Sequence, residues 1–156
     1  MASWSEVEAQ APELAARARE IFDAHKHKTL ATLRRDGSPR ISGTEIQLAD
    51  GELWFGSMSE AVKALDLRRD PRFAIHSGSG DPPDWRADAK VAGRVEEITD
   101  PQQRAARLGD ADRGGSHLFR ADLTELVVTS LGGDPPDHLV IESWHPGRGM
   151  TRRERR

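Results

Sequence analysis

Cysteine is absent from the 156-residue chain, and so are long apolar runs. Without cysteine there is neither a disulfide framework nor a thiolate metal site. The N-terminal segment is polar and acidic, without the apolar core of a signal peptide, and no stretch approaches the length of a membrane span. These absences predict a soluble, cytoplasmic protein.

Hydrophobic residues are scarce as well. They make up 36% of the chain, and the mean hydropathy is -0.68. A chain of this length forms a single domain of ordinary size with much of its surface exposed. The low apolar content therefore predicts either a thin barrel or a second subunit that buries more surface. We expect one domain over residues 1–150 and a disordered basic tail at residues 151–156.

Lysine is rare among the basic residues, with 4 Lys against 19 Arg, and the net charge is -3. A chain without a basic field is not expected to bind nucleic acid or acidic membranes. A GC-rich genome would account for the arginine excess, so this excess alone is no evidence of phosphate binding. Only His25 and His27 are closely spaced among the six histidines, and no carboxylate cluster joins them, so no metal site is predicted.

Short β-type runs separated by turns dominate the pattern. Asp36-Gly37 between two such runs predicts a hairpin, and Asp50-Gly51 predicts the next turn. Helices are expected at residues 12–26, 59–69 and 101–108. Strands are expected at residues 29–33, 40–48, 52–56, 72–76, 89–98, 123–131 and 138–144. The fold class is mainly β, a split antiparallel β-barrel of six to seven strands with an N-terminal helix and short flanking helices.

A candidate anion site lies where the third strand gives way to a helix. Ser59 is expected to cap this helix, and the free N–H groups and positive dipole end of a helix N-terminus attract phosphate. Helical side chains lean toward the N-terminus, so Lys63 can reach the same place as Ser57 and Ser59. Arg40 on the second strand is either a further phosphate ligand or a solvated residue next to a turn.

Two arginines at the end of this helix are expected to lie apart from the anion site. Arg68 and Arg69 are about 14–15 Å further along the helix axis. Their basic side chains would compensate the dipole at the C-terminal end of the helix. They would contact a cofactor only if that cofactor is long or a second subunit brings its tail to them.

Three segments, taken in order, resemble a known family. They read LATLRRDGSPR at residues 30–40, LWFGS at residues 53–57 and KALDLRRDPR at residues 63–72. As an ordered set they resemble the pyridoxamine 5′-phosphate oxidase-like family, whose members are split β-barrels that bind FMN or, in one branch, a deazaflavin (coenzyme F420). The resemblance implies a homodimer with the cofactor at the subunit interface and a small-molecule substrate.

The resemblance also assigns roles to individual positions. Cofactor-binding residues would be Arg40, Ile41, Ser42, Ser57, Met58, Lys63, Arg68, Arg69 and Lys90, with Ser59 added by the helix-capping argument. Residues 74–76 would face the cofactor ring, and His76 is our candidate for the catalytic residue. The segment WHPGRGM at residues 144–150 does not match the Arg-x-His segment of the true oxidase, which argues against pyridoxamine phosphate as the substrate.

Two functions follow from this interpretation. The first is an oxidoreductase that transfers a hydride between a flavin or deazaflavin ring and a small flat organic substrate. The second is a protein that binds and sequesters a flavin-type cofactor or haem without turnover. The sequence does not distinguish FMN from deazaflavin.

Overall fold

A computed structural model describes residues 2–112 and 114–156, and this part of the chain forms nine strands and four α-helices. The helices are α1 Trp4–Gln10, α2 Pro12–Asp23, α3 Val62–Arg69 and α4 Pro101–Leu108. The strands are β1 Lys28–Leu33, β2 Pro39–Thr44, β3 Gln47–Ala49, β4 Glu52–Ser57, β5 Arg72–His76, β6 Ala87–Glu97, β7 His117–Gly132, β8 His138–His145 and β9 Gly149–Arg155. Within the described residues, no helix is long and apolar enough to cross a membrane.

All strand pairs are antiparallel, in the order β2-β1-β5-β6-β7-β4-β3, and β8 pairs with both β7 and β9. This arrangement confirms the predicted split β-barrel with flanking helices. The single strand expected at residues 40–48 is two strands instead, because its first part pairs with β1 while its second part pairs with β4. The chain changes partner at Glu45 and Ile46, and this change separates the two halves of the sheet.

The N-terminal helix α1 was not predicted. Its signal is a capping box, in which the Ser3 hydroxyl accepts from the Glu6 N–H and the Glu6 carboxylate accepts from the Ser3 N–H. Trp4 and Val7 from this helix and Phe22 from α2 are fully buried. They pack in one cluster with residues of the sheet, so both N-terminal helices cover the inner face of the barrel.

The core lies on one face of the curved sheet. Leu30, Leu53, Ile75, Leu126 and Trp144, each from a different strand, are all fully buried. A β-bulge places the extra residue Thr124 of β7 opposite Ala92 and Gly93 of β6 and bends the long strand β7. Gly93 is required there, since a Cβ atom would lie 2.0 Å from the Asp122 carbonyl oxygen.

The C-terminal segment forms a strand at residues 149–155, which contradicts the predicted disordered tail at residues 151–156. Residues 149–155 form β9, which pairs with β8 along its whole length. The Ser143 and Thr151 hydroxyls also hydrogen-bond across the pair at 2.7 Å. The charge run suggested a solvated tail, but charged side chains are also what an exposed edge strand carries.

Candidate functional site

The outer face of the sheet carries a flat surface built mostly from small side chains. One row of directly paired residues consists of Gly43, Thr29, His76 and Lys90, and the next consists of Ile41, Ala31, Ala74 and Ala92. Paired residues project to the same side of a sheet, and here that side is opposite the core. A Cβ atom at Gly43 would meet no atom within 4 Å. The backbone of β2 is therefore open to the close approach of a flat molecule.

His76 lies at the edge of this surface. Its Nδ1–H donates to the Ser77 carbonyl oxygen at 2.7 Å, and this bond leaves Nε2 as the basic nitrogen of the neutral ring. Nε2 is 3.8 Å from the Asp88 carboxylate, which also accepts a hydrogen bond from the Trp85 indole at 2.9 Å. His76 and Lys90, both predicted site residues, are directly paired across β5 and β6. An imidazole and an ammonium therefore border the same surface.

A buried carboxylate on α3 organises the opposite side of β1 and β2. Asp66 is 2% exposed. It accepts hydrogen bonds from the Thr32 hydroxyl at 2.8 Å, from Arg40 Nε at 2.7 Å and from an Arg69 terminal nitrogen at 3.0 Å. Burial alone would raise the pKa of Asp66, but the hydrogen bonds from Arg40, Thr32 and Arg69 lower it overall. Asp66 is therefore a fixed negative charge that holds two guanidinium groups side by side.

Both guanidinium groups keep donors for a further anion. Arg40 is one-quarter exposed and Arg69 about one-third, by side chain. A guanidinium has five N–H donors. Within residues 2–112 and 114–156, the hydrogen bonds of Arg40 use one nitrogen, and those of Arg69 use a single terminal nitrogen that also donates to the Leu33 carbonyl oxygen at 2.8 Å. Arg40 is therefore not a solvated surface residue. Its ion pair with Asp66 fixes its position, and it keeps N–H donors for an anion.

Lys63 adds a third positive charge on the same helix, three residues before Asp66. Its ammonium donates to the Gly43 carbonyl oxygen at 2.7 Å, which places it at the edge of β2 beside the flat surface. Partial burial lowers the pKa of Lys63 because desolvation disfavours the charged ammonium, and a bound anion would offset this effect. We refer to Arg40, Lys63, Asp66 and Arg69 as the cation cluster. It holds three positive charges against one negative charge.

The predicted helix cap at Ser59 is wrong. The helix begins at Val62, its N-cap is Ala61, and no side chain caps it. The reason is a turn between β4 and α3, in which the Ala61 N–H donates to the Met58 carbonyl oxygen and Glu60 adopts a φ of 59°. This turn delays the helix, so Ser59 lies exposed before it and Ser57 donates its hydroxyl proton to the Met58 carbonyl oxygen.

Arg68 and Arg69 diverge, although they are adjacent in sequence. Arg69 pairs with Asp66 and so lies beside Arg40, the residue that the sequence leaves open as a further phosphate ligand. Arg68 instead binds both oxygens of the Glu97 carboxylate at 3.1 Å, and Glu97 also pairs with His117 at 2.6 Å. Side chains three residues apart share one helix face. That spacing brings Arg69 onto Asp66, whereas Arg68 projects toward β6.

The remaining predicted ligands lie on two different faces. Ile41 is 73% exposed on the outer face, and Met58 is 80% exposed before α3. Ser42 points inward, and among the described residues its buried hydroxyl has no hydrogen-bond partner. Strand alternation separates Ile41 from Arg40 and Ser42 in this way, so the three do not line one side of a ligand.

Asp66, Glu97 and His117 were missed by the sequence analysis. The spacing of Asp66 three residues before Arg69, on the face that also carries Leu67, is a local signal that would have found it. Glu97 and His117 come together only through pairing of β6 with β7 and of β4 with β7. No local pattern marks them.

Comparisons with known proteins agree on the fold. The sequence model of the family described as pyridoxamine 5′-phosphate oxidase matches residues 14–130. No functionally curated protein matches the chain. Among solved structures, a pyridoxamine 5′-phosphate oxidase-related, FMN-binding protein from Nostoc punctiforme is 16% identical, with a TM-score of 0.62, over 96% of this chain and 97% of that one.

Two mycobacterial structures are similar to the chain as well. A conserved hypothetical protein from Mycobacterium tuberculosis is 22% identical, with a TM-score of 0.61, over 71% of this chain and 81% of that one. A heme binding protein from Mycobacterium smegmatis is 17% identical, with a TM-score of 0.60, over 90% of this chain and 87% of that one. At these identities the structures support the fold alone. The family match covers well over half of the sequence, and the chain therefore belongs to the pyridoxamine 5′-phosphate oxidase family.

Proposed function

We propose that this protein binds FMN or a deazaflavin and uses it as an oxidoreductase on a small, flat organic substrate. The observation that carries the proposal is the cation cluster, in which Asp66 holds Arg40 and Arg69 on the core side of the edge strand β2, while the Lys63 ammonium donates to the Gly43 carbonyl oxygen of the same strand beside the flat outer face. The family match and the FMN-binding relative support the same cofactor class.

The cation cluster fits the phosphate of such a cofactor. A phosphate monoester carries up to two negative charges and three strong acceptor oxygens. The cluster has a surplus of two positive charges, and free donors remain on Arg40, Arg69 and Lys63. Guanidinium groups bind phosphate in a bidentate manner, and an ammonium adds a point charge. Because Asp66 already orients the arginines, little further ordering is needed on binding.

The flat outer face fits the ring system. Ala31, Ala74, Ala92 and Gly43 present little side-chain bulk, and Gly43 exposes its backbone. When bound, FMN or a deazaflavin supplies the hydride chemistry. The residues of this chain bind the phosphate and orient the ring. His76 Nε2, beside Asp88, is the candidate atom to hold a proton during the reaction.

A second copy of the chain is part of this proposal. The segments that carry the candidate site expose Ile41, Met58, Val62 and Leu65, which are 73%, 80%, 52% and 38% exposed. Exposed apolar side chains that together form one patch mark contact surfaces. A homodimer that covers them would enclose the cofactor between two subunits. Sedimentation equilibrium of wild type and of the Ile41→Glu variant measures this, and a monomeric wild type would contradict the dimer.

The binding test uses cofactor-free protein and both cofactors. FMN and the deazaflavin F420 are titrated separately, and binding is followed by fluorescence and by the visible absorbance band. We expect one of them to bind at micromolar concentration or tighter. If neither binds, the proposed function is wrong. The preferred cofactor is then reduced anaerobically and mixed with quinones and nitroaromatic compounds, and reoxidation faster than in the protein-free control identifies an enzyme.

Haem binding without turnover is the alternative. The observation that favours it is the exposed imidazole of His76, whose Nε2 borders the flat face and could act as an axial ligand. The heme binding relative from Mycobacterium smegmatis has the same fold. Titration with haemin would then give a sharp Soret band that the His76→Ala variant lacks. A flavin-type oxidoreductase gives no such histidine-dependent band.

A further inference from the structure

His117 is buried at the start of β7, where it contacts the turn that precedes α3. The imidazole is 3% exposed. The Glu60 backbone N–H donates to Nε2 at 3.2 Å, and Nδ1 lies 2.6 Å from a Glu97 carboxylate oxygen. A backbone N–H can only donate, so Nε2 must be the acceptor and Nδ1 must carry the proton that Glu97 accepts. The hydrogen-bond network therefore assigns a neutral imidazole with its proton on Nδ1.

The turn that His117 contacts has an uncommon backbone. Glu60 has a φ of 59°, in the left-handed region that non-glycine residues seldom occupy. Such a conformation persists when surrounding contacts determine it. The Ala61 N–H donates to the Met58 carbonyl oxygen at 3.2 Å. On the other side, a Cβ atom at Gly115 would lie 2.9 Å from the Ser59 hydroxyl, so the segment before β7 packs directly against the turn.

We propose that His117 is a positioning residue for the candidate cofactor site. Its neutral Nε2 holds the turn of residues 58–61, which leads directly into α3 and so fixes the start of the helix that carries Lys63, Asp66 and Arg69, and protonation of His117 releases this turn. A proton taken from solvent by Nε2 would leave two N–H groups facing each other across the former hydrogen bond. The proposal rests on the proposed function, since the turn belongs to the same site.

The charged groups around His117 are consistent with this role. Glu97 on β6 faces Nδ1, Arg68 on α3 pairs with Glu97, and the Glu60 side chain lies on the turn itself. Burial would raise the pKa of Glu97, but the hydrogen bonds from Arg68 and His117 lower it overall. Glu97 therefore stays ionised at neutral and mildly acidic pH. Protonation of His117 keeps its bond to Glu97 and removes only the one to Glu60.

A second ion pair, between Arg104 and Asp112, supports the backbone next to His117. Arg104 on α4 donates to the Ser116 carbonyl oxygen at 2.7 Å and pairs with Asp112 at 3.1 Å. On the apolar side, the rings of His117 and Phe119 are stacked with centroids 6.2 Å apart. Of these groups, only His117 is of the residue type that titrates between about pH 5 and 8.

Two substitutions separate the two hydrogen bonds of His117. In His117→Gln, the side-chain oxygen can take the place of Nε2 and accept from the Glu60 N–H, and it does not titrate. In His117→Asn, the shorter amide matches the position of Nδ1, so it can donate to Glu97 but leaves the Glu60 N–H without its acceptor. Thermal unfolding of both variants shows whether each one folds. Together the two variants distinguish the hydrogen bond to the Glu60 N–H, which positions the turn, from the hydrogen bond to Glu97.

The first measurement is the FMN dissociation constant at pH 8 and pH 5.5. The FMN phosphate titrates in this range as well, and the His117→Gln profile reports that contribution. Between pH 8 and pH 5.5, we expect the FMN affinity of the wild type to fall about tenfold more than the FMN affinity of His117→Gln. A tenfold change corresponds to the loss of one hydrogen bond. His117→Asn should bind weakly at both pH values. Identical profiles for wild type and His117→Gln would overturn the proposal.

The second measurement does not depend on any cofactor. Nuclear magnetic resonance of the cofactor-free protein follows the Glu60 amide and the His117 ring nitrogens with pH. We expect the Glu60 amide signal to shift with the same midpoint as the His117 ring, and to stay constant in His117→Gln. A Glu60 amide that does not respond to His117 would contradict the role of the turn. If FMN and F420 both fail to bind, the proposed function fails, whereas this result still decides the role of His117.

Discussion

Two sides of α3 carry ion-pair networks that differ in their charge balance. The cation cluster places three positive charges around the single carboxylate of Asp66. The second network joins Arg68, Glu97 and a neutral His117, so its charges cancel. An unbalanced network with free donors is suited to bind an anion, whereas a balanced one is suited to hold backbone in place. The difference assigns binding to the first network and positioning to the second.

Asp66→Asn should have the largest effect on stability. The substitution leaves Arg40 and Arg69 without their counter-charge in a partly buried site. Breaking a buried ion pair costs about 3–5 kcal/mol, and the partial exposure of both arginines reduces this to about 2–3 kcal/mol. Urea unfolding of the cofactor-free protein measures the difference. A loss below about 0.5 kcal/mol would show that Asp66 does not organise the cluster.

The pH dependence of unfolding should reveal the contribution of the Asp66 carboxylate in the wild type. The pKa of Asp66 is lowered in the folded state, so its contribution is present above the unfolded pKa of about 3.9 and is lost as the pH falls through the lower, folded value. The difference in unfolding free energy between wild type and Asp66→Asn should therefore be constant from pH 7 to 5 and shrink below about pH 4. A difference that grows with acid would contradict the sign of this pKa shift.

Glu97→Gln should lower the free energy of unfolding by at most about half as much as Asp66→Asn. The amide can still accept a hydrogen bond from His117, and Arg68 is half-exposed, so water replaces much of its lost pairing. Urea unfolding of the two variants under identical conditions compares the networks directly. If Glu97→Gln were the more damaging change, the balanced network would be the main support of α3.

Ser59→Ala should have the smallest effect. Ser59 caps no helix, and the change should alter the unfolding free energy by less than about 0.5 kcal/mol. The matched control is Ser3→Ala, which removes the capping box of α1 and should cost about 1 kcal/mol. Equal losses in the two variants would mean that Ser59 supports the turn as strongly as a cap would.

Local sequence signals predicted most of the fold. The Asp36-Gly37 turn, the strand alternation and the helix stop before Pro71 depend on neighbouring residues, and the structure has the corresponding hairpin, strands and helix. The errors arose where the local residue pattern fits two structures, although in both cases the partner strand is a neighbour in sequence. The strand at residues 149–155 is ordered only because β8 pairs with it, and the break at Glu45 reflects a change of partner strand.

The candidate site was predicted less completely than the fold. Lys63 and Arg40 were identified from their positions, but the residue that joins Arg40 to Arg69 was not, because Asp66 lies 26 residues from Arg40. The axial distance along an isolated helix placed Arg69 too far from the anion site. In the folded protein α3 packs against β1, the neighbour of β2, so Arg40 reaches Asp66 in the middle of the helix, where Arg69 also pairs with it.

The most direct test of the cation cluster compares FMN with riboflavin, which lacks the phosphate, in wild type, Lys63→Ala and Arg35→Ala. Arg35 is an exposed residue of the β1–β2 turn and serves as the matched loss of one positive charge. Calorimetry should show FMN binding about 10–100-fold weaker in Lys63→Ala. Riboflavin affinity should be unchanged in that variant, and Arg35→Ala should behave as wild type. Equal losses for FMN and riboflavin, or no loss for FMN, would contradict a phosphate site at this cluster.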